Sequence, residues 1–300
     1  MSIFILYINI IILLKVILVN LTKINYLSNF FSYDNEILLV IKGDGNQFFL
    51  NNEFIEQPSS VLINGISINS CTKSCELTKD INNITLQFSE KITSCENMFQ
   101  NLQNLIEVDL SNFDVSQVTS MANMFKSCTG LTSVHLSNSN TYNLVNISSM
   151  FNGCTYLETI NLGNINTSSV EDMSSLFNKC SNLKSIDLTK FDTSKATTFQ
   201  WMFADCNSLI SIDISHFNTS NVKIMYGMFT SCSKLEKINF GNINTSSVEN
   251  TINLFSHCIS LKSIDISNFD LSKVTSMHAI FNNCSNLETI NFGNINIIFL

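Results

Sequence analysis

The chain has 300 residues, with 16 Lys and Arg against 24 Asp and Glu and a net charge of −8. That balance excludes nucleic-acid binding and docking on an anionic lipid surface as principal tasks. Only 9 Gly and 1 Pro occur, which excludes long disordered linkers and leaves one elongated domain plus a cap.

The first segment, "IFILYINIIILLKVILV" from Ile3 to Val19, is interrupted by Asn9 and Lys15. It resembles a secretory h-region, although no basic stretch precedes it and no small-x-small site precedes "NLTK". Its 17 residues also reach the lower limit for a membrane-spanning helix. Residues 1–20 are therefore read as a signal peptide or membrane anchor, with burial inside the folded domain as a third reading. The signal reading makes the protein secreted or cell-surface. Asn-x-Ser/Thr sequons at Asn20, Asn83, Asn146, Asn166, Asn218, Asn244 and Asn283 accord with it.

Residues 21–94 read as a β-rich N-terminal cap over the open edge of the C-terminal two thirds of the chain. "EILLVIKGDGNQFFL" reads as two strands around Gly43-Asp44-Gly45, with glycine supplying positive φ in a hairpin turn. A phosphate loop at these glycines would need a following Lys-Ser/Thr and a helix, and neither is present. "SVLINGISI" and "NITLQFS" read as further strands.

From residue 95 onward one phrase recurs. Phe99, Phe125, Phe151, Phe177, Phe203, Phe229, Phe255 and Phe281 follow one another at steps of 26 residues without an insertion. An apolar residue precedes each, such as Met124 or Met228, and a leucine such as Leu131 or Leu209 stands six residues after it. A cysteine stands three residues after each Phe from Cys128 to Cys284, but the first repeat has Leu102 there. The next stretch alternates with period two, as in Ile212 and Ile214, and predicts a short strand. "FDTS", "FNTS" and "INTS" then supply turn and cap chemistry, because a short polar side chain accepts from backbone N–H groups just ahead of it. Val118, Met121, Met124, Phe125 and Cys128 are spaced to share one face of a short helix or 3₁₀ segment. A unit this small closes its apolar edges only by stacking on neighbours. Residues 95–300 are thus read as a solenoid of about eight repeats, the last incomplete. The expected fold is an α/β repeat solenoid, right-handed, with one parallel sheet and short helical segments.

"Leu-x-x-Ile-x-Leu" is similar to the strand of leucine-rich repeats. "Met-Phe-x-x-Cys-x-x-Leu" with "Phe-Asp-Thr-Ser-x-Val" resembles the BspA-type repeat of bacterial and protist surface proteins, over about residues 92–300. The resemblance implies a secreted or cell-surface solenoid used for adhesion or binding, without catalytic residues to carry over. In one repeat Ser139 stands where the core Phe would fall. "LETINLGNINTSSVEDMSSLF" from Leu157 returns as "LEKINFGNINTSSVENTINLF" from Leu235, an offset of 78 residues or three repeats. Growth by duplicated blocks suits a scaffold better than an enzyme.

Seven cysteines form the ladder. Metal sites need clustered pairs such as C-x-x-C, which are absent, so these read as small buried hydrophobes. Cys95 reads as core, and a cap disulfide involving Cys71 or Cys75 stays open. His135, His216, His257 and His278 occupy four different repeat positions and read as surface residues, with no Ser-His-Asp or Cys-His constellation. Trp201 reads as packing. No enzyme activity, cofactor or metal is expected.

The middle residue of each strand points outward when its neighbours point in. That column is Asp109, His135, Asn161, Asp187, Asp213, Asn239, Asp265 and Asn291. A soluble outer face explains it, and so does a candidate binding face for a protein or glycan partner. The expected function is therefore an extracellular binding or adhesion module, with a self-assembling structural coat as the alternative. The sequence stops at Leu300 in apolar "NINIIFL", which leads to a further expectation of self-association through an open C-terminal end.

Overall fold

The computed structural model describes residues 35–136 and 141–293. Residues 1–20, Ser139 and the stretch 294–300 lie outside the described residues, as do the expectations resting on them. Every described element belongs to the unit Asn35–Leu300.

Strands β1 (Glu36–Lys42), β2 (Gly45–Phe48), β3 (Ser60–Ile63), β4 (Ile66–Ser67), β5 (Ser74–Leu77) and β6 (Ile81–Gln87) precede the first repeat strand, β7 (Leu105–Asp109). The strand of the second repeat is β8 (Ser133–His135). A six-stranded sheet runs in the order β4-β3-β6-β1-β7-β8. β1 pairs antiparallel with both β6 and β7, with Leu39 opposite Val108. The otherwise bare edge of the first repeat is thereby hydrogen-bonded to β1, which removes the aggregation hazard of an open edge there. Ile37, Leu39 and Ile41 alternate inward and are buried. Because both edges of β1 are occupied, it does not form the expected hairpin with β2. β2 pairs instead with β5, and Gly43 and Gly45 take positive φ in the connection. The Asn64-Gly65 turn, with φ of 52° and 83°, joins β3 to β4 as a true hairpin.

The repeats stack in register. No helix occurs among the described residues. The expected short helix is replaced by a run of consecutive turns, because the amides alternate between two tasks. In the first repeat, Met98, Gln100 and Leu102 donate to carbonyls three residues back at 3.0–3.2 Å. Between them, Cys95, Asn97, Phe99 and Asn101 donate to the next repeat at 2.8–3.0 Å. Amides committed to a neighbouring repeat cannot close the i→i−4 bonds that define an α-helix. The turn run also requires positive φ at every fourth residue, shown by Asn97 (59°) and Asn101 (65°). Asn, Ser and Gly recur at these places, as in Asn123, Ser127, Gly153 and Gly227.

Each core phenylalanine amide from Phe99 to Phe255 donates to the residue before the next phenylalanine, at 2.9–3.0 Å. The phenylalanine rings stack with centroids 5.4–6.0 Å apart. The Phe151 and Phe177 rings are within 2° of parallel.

Strand pairing on the opposite side is discontinuous, which corrects the expectation of one long parallel sheet. Parallel pairs join β7 to β8, β9 (Ser211–Asp213) to β10 (Lys237–Asn239), and β11 (Ser263–Asp265) to β12 (Thr289–Asn291). An isolated bridge joins His135 to Asn161. By contrast, the turn side carries an unbroken series of parallel bridges from Ser94 through Ser120, Asn146, Asp172, Thr198, Ile224 and Asn250 to Ser276. Amides beside fully buried side chains have no water to turn to, so their bonds are obligatory. Backbone on the half-exposed strand side can pair with water where repeats diverge.

The cysteine ladder has a bonding role beyond its apolar size. Each thiol from Cys128 to Cys284 donates to the carbonyl of the Phe 29 residues earlier, at 2.9–3.1 Å. The Phe125 carbonyl therefore accepts from the Cys128 amide and from the Cys154 thiol. A cysteine at position 102 would have no preceding repeat to donate to, and Leu102 stands there. All ladder cysteines are free, whereas Cys71 pairs with Cys75 in a disulfide. Cys95 is buried, as expected. Burial pushes the thiols of Cys128, Cys180 and Cys258 up to about 12. Little thiolate forms in the folded state, so these residues should resist alkylation at about pH 8 and react fully once denatured without reductant. Cross-linked pairs among Cys154 to Cys258 in unreduced peptides would contradict this.

A buried threonine column completes the stack. Thr141, Thr167, Thr193, Thr219 and Thr245 are at most 2% exposed. The Thr167 hydroxyl donates to the Asp192 carbonyl at 2.9 Å and accepts from the Asp192 amide at 2.8 Å. Thr167→Val keeps the shape but leaves both groups of Asp192 without that partner. A loss of about 1–3 kcal/mol in a denaturant melt is expected, and an unchanged midpoint would refute the bridging role.

Candidate functional site

The strand column begins at Asp109, on β7. Asp109 is half-buried, and His135, Asn161, Asp187, Asp213, Asn239, Asp265 and Asn291 are exposed. The inward neighbours at mid-array, Ile212 and Ile214, are buried at 5% and 1% exposure. Alternation of this kind follows from the pleat.

The side chains of the column are not loose. Oδ1 of Asp109, Asn161, Asp187, Asp213, Asn239, Asp265 and Asn291 each accepts from the backbone amide two residues on, at 2.8–3.3 Å. These are Asx turns that end the strand and start the corner. His135 interrupts the series. A second corner repeats the device at Asp114, Asn166, Asp192, Asn218, Asn244 and Asp270. A third uses Ser94, Ser120, Asn146, Asp172, Thr198 and Asn250. The second corner is the one expected from its cap chemistry. Turn bonds on the candidate face itself were not expected, although their signal, an Asx two residues before Ser, Thr or Gly, is visible in "DLTK", "DISH" and "NFGN".

Some outer atoms of the column bond one another across neighbouring repeats. Asn239 Nδ2 donates to Asp213 Oδ2 at 2.9 Å, and Asn291 Nδ2 donates to Asp265 Oδ2 at 3.1 Å. An Asp followed by an Asn avoids stacking like charges at the strand spacing of about 4.8 Å. Asp187 and Asp213 are successive carboxylates in the column. Hydrogen bonds from Ser215, first through its hydroxyl and then its amide, and from Asn239 hold Asp213 down to about 2. Thr189 similarly lowers Asp187, and Ser267 lowers Asp265. A folded value below the unfolded one means that the Asp213 bonds stabilise the fold above the ordinary carboxylate range, a contribution lost as pH falls toward about 2. NMR titration should place the Asp213 midpoint near 2. An ordinary value would show that the turn bonds are not formed in solution.

His216 and His257 are exposed, as expected of surface residues, and both are held by hydrogen bonds. His216 Nε2 lies 2.7 Å from the Leu188 carbonyl. His257 sits between Ser256 Oγ at 2.8 Å and Asn283 Nδ2 at 2.9 Å. Ser256 is only 2% exposed, so its hydroxyl is not presented to a substrate. Trp201 has φ of 53° and rests edge-on to Tyr226 at 5.3 Å. A Cβ at Gly227 would come within 2.6 Å of the Trp201 ring, so glycine there makes room for the indole. No group of three or more potential metal ligands occurs among the described residues.

These features define a class: a repeat solenoid whose regular outer column is displayed on a backbone fixed by turns. Within that class, the family described as "Mycoplasma protein of unknown function, DUF285" matches residues 67–185, 155–250 and 210–297, and the chain belongs to this family. Among solved structures, a leucine-rich repeat protein from Bacteroides ovatus is similar. It shares 19% identity over 79% of this chain and 70% of that one, with a TM-score of 0.36. No curated protein matches the chain.

Proposed function

We propose that this protein is a secreted or cell-surface binding module of the BspA-like leucine-rich-repeat kind, acting through its strand column on a protein or glycan and carrying out no catalysis. The observation that carries the reading is the immobilised outer column. Each Asx side chain from Asn161 to Asn291 is held by its own turn at Oδ1. Its second oxygen or its amide nitrogen is thereby held at a repeating spacing, in pairs at Asp213–Asn239 and Asp265–Asn291, with little entropy left to lose on binding. The flanking Ser185, Ser211 and Ser263 add hydroxyls, and all three are exposed. The Cys71–Cys75 disulfide favours an oxidising compartment.

A protein and glycan array probed with the full chain and with an Asp187→Ser, Asp213→Ser double variant tests this. Binding that the double variant loses, at an unchanged melting temperature, is the expected result. Ordered assemblies that form without any ligand, together with a blank array, would replace this reading with that of a structural coat.

A further inference from the structure

A second surface feature lies where the cap meets the first repeat. A cleft of about 410 Å³ opens there, lined from Gln47 to Glu53 on one side and from Gln100 to Asn104 on the other. Its volume falls in the range of roughly 300–1,000 Å³ typical of small-ligand sites. Seven of its eleven lining residues are Asn or Gln, and none is Lys or Arg.

We infer that this cleft binds a neutral oligosaccharide. A carboxamide offers an acceptor and two donors in one plane, which matches a sugar hydroxyl that both donates and accepts. Some of these amides are already oriented. Asn51 donates through Nδ2 to the Gln100 carbonyl at 2.9 Å and accepts at Oδ1 from the Glu53 amide at 2.7 Å. Asn104 Nδ2 donates to Gln47 Oε1 at 2.8 Å, joining the first repeat to the cap across the cleft. Pre-oriented partners lower the ordering cost of binding.

The apolar content of the lining selects among ligands. Leu50 and Leu102 are buried in the wall, so Phe48, at 42% exposure, is the lining hydrophobe that presents substantial surface. One exposed aromatic face among amides suits the C–H face of a pyranose ring, which meets the negative face of the ring quadrupole. A peptide would instead need a series of side-chain pockets or an open strand edge. No lining residue is cationic, the neighbouring Lys73 ammonium is taken up by the Asn52 and Phe54 carbonyls, and Glu53 adds a carboxylate, so the cleft disfavours phosphorylated, sulfated and sialylated ligands.

The test is saturation-transfer NMR on the full chain with a panel of neutral disaccharides (lactose, maltose, cellobiose and chitobiose), plus sulfated and sialylated counterparts. At least one neutral sugar should bind. Phe48→Ala should weaken it about tenfold, and Gln103→Ala, at an exposed position on the facing side, should weaken it measurably. Melting curves verify that both variants fold, and either one that folds suffices to decide. Failure of every neutral sugar to bind, or a preference for charged sugars, would overturn the inference. So would binding that survives both variants, or binding lost in Asp213→Ser while Phe48→Ala leaves it intact. That last result would assign the sugar to the strand column instead.

Discussion

Phe177→Ala is expected to destabilise the protein by about 3–5 kcal/mol, the range for removing a fully buried aromatic side chain. Phe177 is 0% exposed and sits mid-ladder, stacked on Phe151 at 5.7 Å and on Phe203 at 5.6 Å. Deleting the ring leaves two neighbouring ring faces without a partner as well as a cavity. The backbone cannot collapse to fill it. The Phe177 amide is bonded to the Met202 carbonyl at 2.9 Å, and the Phe177 carbonyl accepts from the Cys180 amide and from the Cys206 thiol. Phe177→Leu keeps much of the volume and should cost less than the alanine variant, although it too gives up both stacked faces. Guanidinium melts of the three proteins decide the matter. A loss below about 1 kcal/mol for the alanine variant would mean that the ladder is not a principal element of stability. A fall in slope rather than midpoint would show the array parting into separately unfolding blocks, as nearest-neighbour stacking permits.

Leu209→Ala should cost about 2–5 kcal/mol, whereas Asp213→Ser, four residues on, should change stability by less than about 0.5 kcal/mol. Leu209 is 0% exposed, and its amide closes a turn on the Cys206 carbonyl at 3.1 Å. Asp213 lies on the outer face, where Oδ2 accepts from the exposed Asn239 amide group and Oδ1 accepts from the Ser215 amide. A serine hydroxyl can take over that bond, as Ser94, Ser120 and Thr198 do at another corner. The pair thus separates the packing of the core from the chemistry of the face within a single repeat. Equal losses would mean that the two faces have been assigned the wrong way round.

The amino-acid sequence by itself determined the repeat, its register and its two faces. Identical spacing of Phe, Cys and Leu can be satisfied only if each stacks on its own kind, and alternation about Asp213 leaves no choice about which side points out. The strands of the cap were legible from their β-branched runs, but their partners were not. Alternation says nothing about which edge is free, and β1 proved to have none. The apolar spacing of Val118, Met121, Met124, Phe125 and Cys128 is the same for a helix and for a run of turns that buries the same residues. Only the stacked neighbour, which takes every second amide, decided for turns. The thiol bonds, the buried Thr167 bridge and the cleft between Gln47 and Gln103 likewise join groups from different repeats or from cap and repeat. They exist only once tertiary structure has brought those backbones within hydrogen-bond reach.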